Sequence, residues 1–283
     1  MSTAKRSASH KKYLIVTCVI FCIYTVLLIF PEVWLFINSF KDYIEFSESP
    51  WALPKTIQWS NYSFIFESFN MGEAFINSLI LCLACPTASI IATTCAAYAL
   101  AKFNFRGRKA LYFMHILPML VSITGSTSTL YMFFTELQIY DTFFAMIWSS
   151  AGGTGLNFLL VYGLFRNVSR TYMEAAEIDG AGDFTVFVQI MVPQALGIMG
   201  TLWMLGFIGT WNEYATYQLF LPSHPTVSTA LVFIQNNVTQ GLYASHYPEF
   251  FAAIMISMIP VIVIFLAFQE QIMQMSLGGG IKG

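Results

Sequence analysis

The chain has 283 residues, of which 57% are hydrophobic and only 10% charged; its net charge is −2 and its mean hydropathy is +0.64. A soluble domain carries about a quarter charged residues. The composition therefore excludes an ordinary soluble enzyme and reads as an all-α membrane protein, and the near-zero charge gives no sign of nucleic-acid binding.

Residues 1–12 form a polar, basic tail with Lys5, Arg6, Lys11 and Lys12. The apolar run 13–37 is too long for the core of a signal peptide, and no small-x-small cleavage site follows it; it is expected to be a first membrane span kept in the mature protein. Residues 38–73 are long and acidic and carry Trp51, Trp59, Tyr62, Phe64 and Phe66, residue types suited to a membrane interface. Five further apolar runs follow, at 74–101, 110–134, 142–165, 194–217 and 250–269. Each is near the roughly 20 residues that cross a bilayer as a helix. Continuous helices are expected, because lipid offers no partners to free backbone groups. Pro86, Pro118 and Pro260 predict kinks. The connection 221–249 has no Lys or Arg and contains Pro222, Pro225, Gly241 and Pro248; it reads either as a structured external loop that contacts a partner or as a plain connector. A tail, 270–283, ends the chain.

Lys and Arg set the orientation. The N-terminal four, then Lys102, Arg106, Arg108 and Lys109, then Arg166 and Arg170, then Lys282 all fall on one side of a six-span arrangement. Lys41 and Lys55 alone fall on the other. Six spans in one membrane domain, 1–283, with both termini cytoplasmic, are the expectation.

Chemistry is scarce. No GxxxxGK[ST] is present to bind a nucleotide, no His, Cys, Asp or Glu set has metal-ligand spacing, and no nucleophile motif appears. No catalytic residue and no metal site is therefore assigned. Cys82-x-x-Cys85 has the spacing of a redox pair, but it lies in an apolar run before Pro86 and reads as two small core side chains. Span three is polar at its middle, from Ser122, Thr124 and Gly125 through Ser126, Thr127, Ser128 and Thr129. Span four has Gly152, Gly153, Thr154, Gly155 and Asn157. Both patterns suit tight helix packing, and both could line a pathway for a hydroxylated solute. Glu213, in Trp211-Asn212-Glu213-Tyr214, is the clearest ionisable residue near a span; it either serves the pathway or reaches the interface. A bundle with neither an energy source nor a buried charge relay points to transport driven from outside the chain.

The entry point for that drive is Glu174–Pro193, EAAEIDGAGDFTVFVQIMVP, a polar stretch between spans four and five with Glu174, Glu177, Asp179 and Asp183 around Gly180 and Gly182. A short exposed helix is expected there, closed by Pro193. The stretch resembles the EAA loop of ABC-importer permeases: Glu174-Ala175-Ala176, three residues, Gly180, nine residues, Ile190, then Val192-Pro193, with Val192 the one departure in the core motif. Asp179-Gly180-Ala181, the triplet Trp211-Asn212-Glu213 and the ending Gly279-Gly280-Ile281-Lys282-Gly283 are similar to the carbohydrate branch, maltose-type second permease subunits among them. Arg170-Thr171-Tyr172-Met173 and Ala195-Leu196-Gly197 depart from that family's pattern on either side of the loop.

The resemblance implies a sugar or oligosaccharide importer of a bacterial or archaeal inner membrane. It implies a second, homologous permease, two cytoplasmic ATPase subunits that bind the ATP and Mg, and an extracytoplasmic solute-binding protein; this chain would hold no cofactor. Glu174, Ala175, Ala176, Asp179, Gly180, Ala181 and Pro193 would couple to the ATPases. Ser126, Thr127, Asn157, Trp211, Asn212 and Glu213 would line the pathway, and Gly279, Gly280 and Lys282 would reach the ATPase interface. A permease for another solute, an ion-coupled carrier or channel, and a scaffold remain as alternatives; the carrier or channel predicts intramembrane charge, which is scarce here, and the scaffold leaves the motif's spacing without a reason.

Overall fold

The computed structural model describes residues 2–120, 126–169, 171–241 and 245–278, and these are helices joined by turns, with no strand among them. In chain order the helices are α1 (Ser2–Asn38), α2 (Tyr43–Glu48), α3 (Ser60–Ser68), α4 (Met71–Lys102), α5 (Arg108–Leu120), α6 (Thr127–Glu136), α7 (Phe143–Ser150), α8 (Leu156–Asn167), α9 (Thr171–Ile178), α10 (Asp183–Val186), α11 (Val192–Asn212), α12 (Ala215–Phe220), α13 (Val227–Thr239) and α14 (Tyr247–Gly278). Among the described residues, four helical stretches are long and apolar enough to cross a membrane: Tyr13–Asn38, Met71–Lys102, Asp183–Asn212 and Tyr247–Glu270. The chain divides into two units, residues 1–70 with 233–258, and residues 71–232 with 259–283.

In the first unit, Trp34 of α1 packs edge-on against Phe251 of α14 with ring centroids 5.4 Å apart, and against Trp51 at 5.7 Å. The residues between α1 and α3, expected to be an acidic loop, have a polar core of their own. Asn61 Nδ2 donates to the carbonyls of Ser39 and Lys41, both at 2.8 Å, and the fully buried Lys41 donates through Nζ to Ser49 O at 2.8 Å. Residues 13–33 of α1 are all exposed, so their apolar side chains must be covered by lipid or by another chain.

The second unit is built on α4. Its buried residues recur at three- and four-residue spacing, from Ala74, Asn77 and Leu81 to Thr94, Ala97 and Tyr98, which places them on a common face. That face receives α7, α8 and α11. Small residues set how closely the backbones approach. A Cβ on Gly206 of α11 would stand 3.0 Å from Pro86 Cβ.

Two expected spans need correction. The run 142–165 is not one helix: α7 ends at Ser150, α8 starts at Leu156, and Gly153 (φ 56°) and Gly155 (φ 75°) turn the chain between them. Left-handed backbone at two glycines cannot continue a right-handed helix. A backbone group at the break finds its partner inside the protein, Gly155 N donating to His115 O at 2.8 Å, and Ser150 Oγ ties the end of α7 to Cys85 O of α4 at 3.1 Å. The run 110–134 is carried on α5 and α6, and residues 121–125, with Ser122, Thr124 and Gly125, lie outside the described residues. The run 194–217 breaks after Asn212, and α12 follows as a separate helix. The connection 221–249 contains the 13-residue helix α13.

Candidate functional site

The polar stretch begins where α8 ends. α9 is eight residues long, with Glu174 in its first turn, where a carboxylate suits the positive helix end. It stops at Gly180, whose φ is 79°. Ala181 N donates to Ala176 O at 2.9 Å, a bond reaching five residues back across a left-handed residue. This is the Schellman way of closing a helix, and it explains why a glycine stands there. No atom lies within 4 Å of the position a Gly180 Cβ would take. The glycine is required by the backbone alone.

The stretch has two faces. Ala176 is buried, and Met173 and Ala181 pack beside it against a cluster that includes Tyr98 and Ala97 of α4 and Phe165 of α8. Glu174, Ala175, Asp179 and Gly180 are exposed. So are three apolar side chains that the sequence reading did not single out: Ile178 is 87% exposed, Phe184 78% and Tyr172 59%. Large apolar side chains left uncovered together in this way mark a contact surface. The signal was present in the sequence as apolar residues inside an acidic loop.

Two side chains from the last turns of α4 tie the stretch at both ends. Lys102 Nζ, buried, donates to Val168 O just before α9, at 2.7 Å. Tyr98 hydroxyl reaches Asp183 O at 3.5 Å at the start of α10. Both ends of the stretch are thereby held to α4, against which α7, α8 and α11 pack.

Pro193 does not close the segment. α10, a π-helical turn Phe187–Met191 and α11 form one continuous rise, and Val192 N donates to Phe187 O, five residues back. Proline has no N–H and its ring would strike the carbonyl four residues earlier in a regular helix. Widening the preceding turn removes that collision, and such π-turns recur at functional positions.

The proposed pathway residues do not share one environment. Trp211 is buried, its ring parallel to Phe207 at 6.2 Å and edge-on to Phe75 at 5.6 Å. Asn212 is exposed, and its Nδ2 donates to Ile208 O at 2.9 Å. Glu213 brackets the break after α11: its Oε1 accepts from Thr216 N at 2.9 Å, and its carbonyl accepts from Ser228 Oγ at 2.6 Å. Ser126 is half-buried at the start of α6 with Thr127 exposed beside it, and Asn157 is half-buried in the first turn of α8. Gly279, Gly280 and Lys282 lie outside the described residues.

Residues 88–274 match the model of the family described as "binding-protein-dependent transport system inner membrane component", and the chain belongs to that family. It is a transport component of the ABC-importer permease type, with several membrane-length helices. It is 28% identical to the diacetylchitobiose uptake system permease protein NgcG of Streptomyces coelicolor, over 94% of this chain and 88% of that protein. It is also 28% identical to the melibiose/raffinose/stachyose import permease protein MelC of Bacillus subtilis, over 99% of both. In fold it resembles a chain of a bacterial ABC transporter involved in the import of the acidic polysaccharide alginate, with a TM-score of 0.76, 22% identity, and coverage of 93% of this chain and 97% of that one.

Proposed function

We propose that this chain is the membrane permease subunit of an ATP-driven, binding-protein-dependent importer for a sugar or oligosaccharide. The relatives named for diacetylchitobiose and for melibiose, raffinose and stachyose support a carbohydrate cargo. In this reading the chain crosses an inner membrane six times, with both termini cytoplasmic. One of the crossings, α7 with α8, is made of two shorter helices; irregular backbone at membrane depth is tolerated where protein buries it. A second, homologous permease and two ATPase subunits complete the transporter. The ATPases bind ATP and Mg and carry the hydrolysis, while this chain holds no cofactor and catalyses nothing. A solute-binding protein delivers the cargo from outside; a described relative in fold is a bacterial alginate ABC transporter in complex with an alginate pentasaccharide-bound periplasmic protein.

The observation that carries the coupling role is the two-faced polar stretch. Its inner face is fixed to α4 and α8 through Ala176, Lys102 and Tyr98. Its outer face presents Glu174, Ala175, Asp179 and Gly180 with Ile178 and Phe184 as apolar anchors. Side chains that fill a well-packed, desolvated pocket of a partner carry most of an interface's binding energy, and Ile178 and Phe184 stand free to do so. Closure of the ATPases then pulls on α8 and α10 at once.

The test is assembly of the purified transporter with Ile178→Asp and Phe184→Asp. Both side chains already stand in water, so the folded subunit survives the change. The ATPase subunits are expected to dissociate on size exclusion, and binding-protein-dependent sugar uptake into proteoliposomes is expected to fall with them. An intact complex with full uptake would remove the docking role from this face.

A further inference from the structure

A second polar feature of the same unit has no part in that coupling. A groove of about 770 Å³ lies beside the start of α5. Its lining includes three cations, Arg108, Lys109 and Arg166, and, among the described residues, no acidic one. Arg108 Nη1 donates to Asn104 Oδ1 at 2.6 Å; the neutral amide orients the guanidinium and leaves its charge uncancelled. Tyr112 and Tyr162 form a wall, their ring centroids 4.9 Å apart, and Tyr162 is stacked on Phe158 at 5.6 Å. The positive end of the 13-residue α5 adds to the field of the three cations.

The groove's place in the chain says what level it occupies. α4, a membrane-length helix, ends at Lys102, two residues before Asn104. Arg166 is in the last turn of α8. The groove therefore stands where two helices leave the apolar layer. Leading away from it, α5 buries none of its residues and exposes Phe113, Met114, Leu117 and Leu120.

We propose that this groove binds the phosphate of an anionic membrane phospholipid, with the acyl chains lying along α5. Arg108, Lys109 and Arg166 attract the phosphate oxygens by their charge, and basic pockets between membrane helices hold anionic headgroups. Free phosphate would satisfy the cations but would leave the apolar track on α5 without a purpose. An acidic protein surface would do the same. The inference needs only that the chain lies in a membrane and stands apart from the cargo and the coupling role.

The experiment is native mass spectrometry of the purified full chain, with the subunits that copurify, titrated with phosphatidylglycerol and, separately, with phosphatidylcholine of the same chains. Phosphatidylglycerol is expected to bind about tenfold more tightly, and Arg108→Gln and Arg166→Gln are each expected to weaken it about fivefold. The charge-conserving double variant Arg108→Lys/Arg166→Lys is expected to retain the lipid, which separates loss of charge from loss of fold. Equal binding of the two lipids overturns the proposal, as does loss of lipid from the lysine variant. Displacement of the lipid by inorganic phosphate would make this a free-anion site. Cross-links from Lys109 to carboxylates of a copurifying subunit, with lipid excluded, would make it a protein interface. Either result also overturns the proposal.

Discussion

Two turns in the α4-centred unit look alike in sequence and differ in what they require. Ala151-Gly152-Gly153-Thr154-Gly155 and Asp179-Gly180-Ala181-Gly182 are both glycine-rich, both end a helix, and both place a glycine at positive φ. At Gly153 a Cβ would come within 2.7 Å of Thr93 N and 3.0 Å of Ala92 C, backbone atoms of α4 that cannot step aside. At Gly180 the same Cβ would meet open space. The first glycine is a packing residue that lets two backbones touch. The second is a conformational residue at the end of an exposed helix. The lesson is that the same residue type reports stability in one place and a presented surface in the other, and only the surroundings distinguish them.

Substitution separates the two cases. Gly153→Ala should have the largest effect on the fold, about 3 kcal/mol from overpacking together with the left-handed backbone. It should appear as a lowered unfolding midpoint and a poor yield of folded protein; a wild-type midpoint would mean that the close approach to α4 is not tight. Gly180→Pro reverses the pattern. Proline fixes φ near −65°, which is incompatible with 79°, so the Ala181–Ala176 bond is lost and α9 ends differently. The protein should insert and fold yet lose most uptake while the ATPases still hydrolyse ATP. Normal uptake by well-expressed protein would take the coupling role away from this turn, and Gly180→Ala should sit between, at about 1 kcal/mol. Lys102→Met tests the tie between the two regions. Loss of the charged bond to Val168 O should cost about 2 kcal/mol and weaken coupling more than insertion, measured as ATP hydrolysed per sugar imported. An unchanged ratio would show that the stretch is not controlled through the end of α4.

Much of the polar stretch was legible because its signals are local. Gly180 at the end of α9, Glu174 in its first turn and the exposure of Asp179 follow from helix-end chemistry, which needs only neighbouring residues. Pro193 misled for the same reason. A proline after a polar loop ordinarily marks a boundary, yet a π-helical turn five residues long lets the helix run through it, and that accommodation has no sequence signature. Lys102 and Tyr98 were not legible as partners of the stretch, because their bonds reach 66 and 85 residues along the chain. Trp211, Asn212 and Glu213 stood together as a triplet. Their separation into a buried ring, an exposed amide and a helix-capping carboxylate depends on where α11 stops.

By itself the sequence determined the class of environment and the direction of the argument. Membrane-length apolar runs, the one-sided distribution of Lys and Arg, and a glycine-ended acidic helix are properties of composition and short spacing. Only the tertiary structure decided which apolar runs are continuous, which face of the polar stretch is held and which is offered, and that α4 is the axis of its unit while residues 13–33 stay exposed. Apolarity says that a side chain leaves water; it does not say whether lipid, another helix of the same chain or a partner receives it. That choice rests on contacts between residues far apart in sequence, and these exist only once the helices have packed.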